Sequence, residues 1–223
     1  MLAGPMYVTE VVKKDDAVLL KNIALFEESC KTNNIKYEIL SDATGPATQA
    51  VIDETRYADL LVLSAKSFYG NLDDDTREEY IADVLHKSEC PVVLIPDNFQ
   101  LPDNIILSYD GSEASVYAIK QFTYLFPQFK GVRVLLAYFS KNSDPIPERT
   151  QIANFLEAHY NTVTITKLKI TDKKDIEKWI EDNGDTLFVA GAHHRSMLSE
   201  MFKSSFINEV VHRHKIPVFV AHK

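Results

Sequence analysis

Two stretches of this 223-residue chain carry the same parts in the same order, and that repetition restricts the fold more than any single motif. Leu187–Val220 reads LFVAGAHHRSMLSEMFKSSFINEVVHRHKIPVFV: an apolar run, a polar loop, an amphipathic helix and a second apolar run entered through proline. Leu60–Pro96, LLVLSAKSFYGNLDDDTREEYIADVLHKSECPVVLIP, repeats that order. A self-similar block is a structural unit in its own right, so duplication is settled before fold. Continuous apolar runs joined by helices are the mark of parallel strands covered on both faces.

Taken in order, Met6–Val12 reads as a strand and Asp15–Asn33 as a helix with Ala17, Leu20, Ile23, Ala24 and Cys30 on its apolar face. Lys36–Leu40 is a strand, and Ala47–Tyr57 a helix with Ala50, Val51 and Tyr57 inward. Leu60–Leu63 is a strand apolar enough to be covered on both sides. The loop Ser64–Thr76 carries Gly70 and the acidic run Asp73–Asp75, read as a solvated loop and helix cap rather than a hard-cation site. A helix over Arg77–Ser88 and a strand over Val92–Ile95 close this half, and the proline-containing linker Pro96–Asp103 is the best boundary.

The second half opens with the strand Asn104–Tyr109, the turn Asp110-Gly111-Ser112 and a helix from Glu113 to about Phe126. Strand Val132–Tyr138, helix Glu148–Tyr160, strand Thr162–Ile170 and helix Lys173–Asn183 lead into the opening block. Trp179 shares a helix face with Ile176 and Ile180 and reads as a core residue. The pattern βαβαβαβαβ predicts a doubly wound α/β unit with a parallel sheet. The first half has the same pattern without its first strand and first helix: MYVTEVV matches VRVLLAY, KYEIL matches TVTITKL, LLVLS matches LFVAG and PVVLI matches PVFVA. Two units follow, 1–98 incomplete and 99–223 complete.

Composition bounds the function. With 45% hydrophobic and 25% charged residues the chain has the makings of packed cores. Its net charge of −8 opposes nucleic acid and anionic membrane as partners. Nothing approaches the length of a membrane helix, and MLAGPMYVTE lacks a signal-peptide pattern, so the expected location is cytoplasmic. Cys30 and Cys90 lack metal or redox spacing and read as reduced structural thiols.

A unit that opens on ILSYDGSEAS (Ile106–Ser115), continues through FVAGAHHRS (Phe188–Ser196) and closes on EVVHRHKIPVFVAH, with ADLLVLSA and CPVVLIP in the first half, resembles the universal stress protein family. The resemblance covers most of the chain. It implies two adenine nucleotide alpha hydrolase-like, Rossmann-like units in tandem, and a stress-response module. It also implies strand order 3-2-1-4-5 in each unit, with the fifth strands of two units pairing, here Val92–Ile95 against Val218–Val220 as an intramolecular pseudo-dimer. A homodimer of whole chains is a further expectation. Because the missing first strand is the central one, the second and fourth strands of the first half lose their common neighbour. A longer chain, a rearranged sheet closed by MYVTEVV, or a strand from a partner would each repair it.

Nucleotide-binding members carry Gly-x2-Gly-x9-Gly-(Ser/Thr) after the fourth strand and an aspartate after the first. Glycine lets backbone N–H groups approach phosphate, and a helix N-terminus adds partial positive charge. Here the pattern starts at Gly191, meets His194 at the second glycine and ends on Ser204-Ser205. The candidate site is therefore Asp110, Gly111, Ser112, Gly191, His193, His194, Arg195, Ser204 and Ser205, in the second unit only, for an adenine nucleotide such as ATP or AMP, or another small anion. In the first half the same positions are Ser64, Ser67, Arg77 and Glu78, and the site is lost.

Each of these residues has a plainer role as well. Asp110 and Gly111 suit a turn and cap, and Ser205 suits an N-cap. His193 to Arg195 form a polar loop, and His212 and His214 complement a helix C-terminus; neither group has the spacing of a metal site. No nucleophile elbow, Walker loop, dinucleotide fingerprint or zincin helix occurs, and Ser108–Ser112 departs from an adenylylating loop, so catalysis is not expected. The alternative to a ligand-binding module is an association protein that kept the fold and lost the pocket.

Overall fold

The computed structural model describes residues 6–9, 16–40, 47–64, 74–96, 99–140, 144–169, 179, 186–191 and 216–221. The chain divides into two compact units, Met1–Glu54 and Thr55–Lys223.

In the first unit β1 (Met6–Thr9) and β2 (Tyr37–Leu40) pair in parallel across α1 (Asp16–Thr32), from Met6 opposite Tyr37 to Thr9 opposite Leu40. Asn34, at φ 54°, ends α1 in the left-handed conformation that asparagine tolerates, and Ile35 N–H returns to the Cys30 carbonyl at 2.8 Å. Cys30 is buried, but Leu20 is 63% exposed and Ala24 is exposed, so the apolar face expected of this helix is narrower than its spacing suggested. A two-stranded sheet offers a helix little to cover. In α2 (Ala47–Thr55) Val51 is buried as expected and Ala50 is half-buried, while Ile52, which the pattern did not single out, is buried as well. Tyr57, expected inward, is exposed instead, because the helix stops at Thr55 and residues 56–57 form a turn.

The second unit is built on one seven-stranded sheet. Its strands are β3 (Leu61–Ser64), β4 (Val92–Ile95), β5 (Asn104–Tyr109), β6 (Arg133–Ser140), β7 (Thr162–Lys169), β8 (Thr186–Gly191) and β9 (Val218–Ala221). They lie in the order β3-β4-β9-β8-β5-β6-β7. From β9 onward this is a doubly wound sheet with β5 at its centre, the order expected of the second half. Every pair is parallel except β4 with β9, which run antiparallel with Val92 opposite Val220 and Leu94 opposite Val218. The pairing expected of Val92–Ile95 with Val218–Val220 is therefore present.

That antiparallel joint explains why compactness and sequence repetition divide the chain differently. A boundary in the linker 96–103 separates the repeats, but β3 and β4 of the first repeat are hydrogen-bonded into the sheet of the second. The other two strands of the first repeat, β1 and β2, make a sheet of their own. Where the first repeat lacks its central strand, the described strands fall into two sheets.

The core lies under α4 (Glu113–Leu125). Its Ala118, Ile119 and Phe122 are fully buried against Leu107, Val189 and Phe219. Burial of each large side chain is worth about 1.5–3 kcal/mol. Phe122 meets the ring of Phe219 edge-on at 5.3 Å and stacks on Phe129 at 5.9 Å, within the short 3-10 helix Pro127–Gly131 that the periodicity did not announce. A second helix, α5 (Arg149–His159), adds Ile152 and Leu156. Trp179 packs edge-on against Phe139 at 5.8 Å, half-buried; its expected companions Ile176 and Ile180 lie outside the described residues. Helix α3 (Asp74–Lys87) starts ahead of the expected Arg77. No cluster that could hold a metal ion occurs among the described residues.

Candidate functional site

The C-terminal end of β5 is where the candidate residues begin. The strand closes on the buried Tyr109, and the chain turns through Asp110, Gly111 and Ser112 into α4. Asp110 Oδ1 accepts a hydrogen bond from Ser112 N–H at 2.9 Å, which makes the aspartate the builder of the turn. Ser112 is the N-cap: its hydroxyl accepts from Ser115 N–H at 3.1 Å, and the Ser115 hydroxyl donates back to the Ser112 carbonyl at 2.9 Å. The turn and cap roles assigned jointly to Asp110 and Gly111 are thus split between Asp110 and Ser112.

Two glycines hold this corner for different reasons. Gly111 has φ +80°, and a Cβ there would stand 2.8 Å from the ring of Pro147. Gly191 ends β8, and a Cβ on it would run into the Ala114 carbonyl and lie 2.7 Å from Ser115 N. The end of β8 thereby reaches the first turn of α4, bringing Gly191 beside the segment that Asp110 and Ser112 shape. Four of the nine candidate residues, Asp110, Gly111, Ser112 and Gly191, converge here. His193, His194, Arg195, Ser204 and Ser205 lie outside the described residues.

The structure adds residues that no motif flagged. Tyr109 OH donates to the Pro147 carbonyl at 2.9 Å, and Lys167 Nζ donates to the Asp144 carbonyl, so the segment ahead of α5 is tied across the turn. Burial, and then the charges of Glu148 and Asp110, push the Tyr109 phenol above its ordinary range. The two prolines at 145 and 147 announce an extended segment, but nothing local says that it lies on Gly111. A groove of about 350 Å³ sits at the opposite end of the strands, beside Asn104, Arg133, Thr164 and Thr186, away from this corner.

No protein-family model matches the chain, and no curated protein matches its sequence. Solved structures do share its architecture. A universal stress protein from Archaeoglobus fulgidus DSM 4304 superposes with a TM-score of 0.66 at 17% identity, over 98% of this chain and 84% of that one. A candidate universal stress protein from Pseudomonas aeruginosa UCBPP-PA14 gives 0.56 at 14% identity, over 98% and 82%. The cytoplasmic domain of a prokaryotic cation chloride cotransporter gives 0.55 at 10% identity, over 97% and 84%. The chain therefore has the universal stress protein fold, an α/β, Rossmann-like arrangement with a mostly parallel sheet. Among the described residues no helix is long and apolar enough to cross a membrane.

Proposed function

We propose that this is a universal stress protein-like cytoplasmic module of the stress response that binds an adenine nucleotide or another small anion at the corner between β5 and β8, without turning it over. The observation that carries the reading is the approach of Gly191 to the first turn of α4, which sets the end of β8 beside the Asp110–Ser112 turn. In an open α/β sheet, ligands collect at the carboxyl ends of the strands where the order reverses, and β5 and β8 flank that reversal. The net charge of −8 and the lack of catalytic motifs agree with a soluble binding module. Mass spectrometry of small molecules released from freshly purified protein, followed by calorimetric titration with ATP, ADP and AMP, tests it. Saturable heat with any of the three supports it; no released nucleotide and no heat at millimolar ligand sinks it.

A second reading is an association module that has kept the fold and lost the pocket. Two observations favour it. Asp110 and Ser112 are already engaged in holding the turn and capping α4. The fold also occurs as the cytoplasmic domain of a transporter, in the cotransporter structure. In this reading the β4–β9 joint makes the two repeats an intramolecular pseudo-dimer, and whole chains can pair further as a homodimer. Light scattering across a concentration series reads the latter.

A further inference from the structure

The two repeats agree hydrogen bond by hydrogen bond at β3 and β8. Leu61 N–H donates to the Pro91 carbonyl at 2.9 Å, and Phe188 N–H donates to the Pro217 carbonyl at 3.0 Å. In a parallel ladder each residue sends its N–H and C=O to the same side, and successive residues alternate sides. Leu61 and Leu63 therefore spend theirs on β4, and Val62 directs its pair toward the other edge. In the same way Phe188 bonds toward β9 and Val189 toward β5, where Leu107 is its partner. The edge that β5 fills in one repeat is the outer edge of the sheet in the other, since among the described residues β3 ends the strand order. Val189 is fully buried and Val62 is 53% exposed.

We propose that this edge of β3 is a docking edge for an extended segment of another polypeptide, which adds parallel to β3 and is apolar on both of its faces. The parallel sense follows from correspondence with the other repeat: β3 meets β4 in the register in which β8 meets β9, Leu61 with Val92 and Phe188 with Val218, which leaves Val62 at the position where Val189 meets the parallel β5. The apolar chemistry follows from what the segment would meet: Leu61 and Leu63 on one face, Leu60 and the exposed Val62 on the other. Sheet edges that must stay open are defended by charge. The opposite edge, β7, carries Lys167 and Lys169 among its outward residues, whereas Leu61-Val62-Leu63-Ser64 carries no charge.

One further difference narrows the occupant. Where β8 ends on Gly191 to let the first turn of α4 in, β3 ends on Ser64, which carries a Cβ at the matching position. The added strand therefore comes without a helix packed closely behind its end. A second copy of this chain is the poorer occupant, because a two-fold axis brings β3 to its own copy only in the antiparallel sense. The proposal draws on the sheet alone and is independent of what binds beside Asp110.

The probe is a fluorescent peptide of the sequence that fills the equivalent slot, DNIILSY (residues 103–109), with a lysine tail for solubility. Full-length protein is titrated into it and read by anisotropy, and hydrogen exchange at residues 61–64 is followed with and without peptide. Saturable binding is expected, with exchange at Val62 and Ser64 slowed on the order of ten-fold or more. Val62→Lys, which charges an exposed position and leaves the β4 ladder intact, is expected to weaken binding on the order of ten-fold while its unfolding midpoint stays that of the native chain. Absence of binding, equal binding of a scrambled peptide, or Val62 and Ser64 amides already protected in the protein alone would overturn the proposal. So would a concentration-dependent dimer that Val62→Lys dissolves, which would make a second copy the occupant.

Discussion

The Tyr109 hydroxyl donates to the Pro147 carbonyl at 2.9 Å, hanging the segment ahead of α5 from the end of β5. Tyr109→Phe is expected to cost about 0.5–1.5 kcal/mol, the worth of one neutral hydrogen bond, in urea unfolding. It also removes a titration. The phenol is raised above its ordinary 10.0, so the neutral form is the folded one; the contribution is complete below pH 10.0 and is lost as pH rises through the folded value. Melting temperatures of the native chain and the variant are expected to draw together above that pH.

Gly191→Ala places a methyl group against the Ala114–Ser115 backbone, which cannot move without shifting α4. Overpacking of this kind costs about 1–3 kcal/mol. Gly131, with open space around it, is the control: Gly131→Ala is expected to leave the unfolding midpoint close to that of the native chain.

Asp110→Asn and Asp110→Ala separate the turn from the ligand. Asparagine keeps an acceptor for Ser112 N–H and is expected to keep the stability of the native chain, whereas alanine loses the acceptor. If a nucleotide binds through the charge, calorimetry shows both variants weakened; if Asp110 only builds the turn, the asparagine variant titrates like the native chain. Ser112→Ala, which removes the N-cap, is expected to cost about 1 kcal/mol in either case.

Burial lifts the Cys90 thiol from its ordinary 9.0 to about 11. The thiol form is the folded one, so this contribution is intact below pH 9.0 and is lost as pH rises toward about 11. Native protein is expected to leave Cys90 unreacted with a thiol reagent at pH 8, well below that range, and to expose it only on unfolding. Mass mapping of the labelled cysteine reads the outcome, and rapid native labelling of Cys90 would contradict it.

The strands of the second repeat were legible because burial on both faces leaves a mark in composition. The apolar run Asn104–Tyr109 coincides with β5 residue for residue, and the Pro-Val entry marks the start of β9. The same mark misled at β3: Leu-Val-Leu looks like a central strand, and only the sheet order reveals that Val62 has no strand beyond it among the described residues. Apolarity reports what a residue tolerates, not who its neighbour is. At the candidate site the Asp110–Ser112 turn could be read from its residue types. The contact of Gly111 with Pro147 could not, because it is made by chain segments distant in sequence. The motif explains Gly191 by close approach to a ligand, whereas the structure gives it a packing reason, the first turn of α4.

Strand β9 is the last of the described strands to be synthesised, yet it is the one that sits between β4 and β8. Until it emerges, β4 and β8 each present an apolar edge on the growing chain, and the loop that must close between β4 and β9 is nearly as long as the second repeat. Long closures are slow to nucleate. The joint that unites the two repeats is therefore also the step at which a nascent chain is most exposed to aggregation, and refolding without chaperones is expected to lose yield steeply with protein concentration.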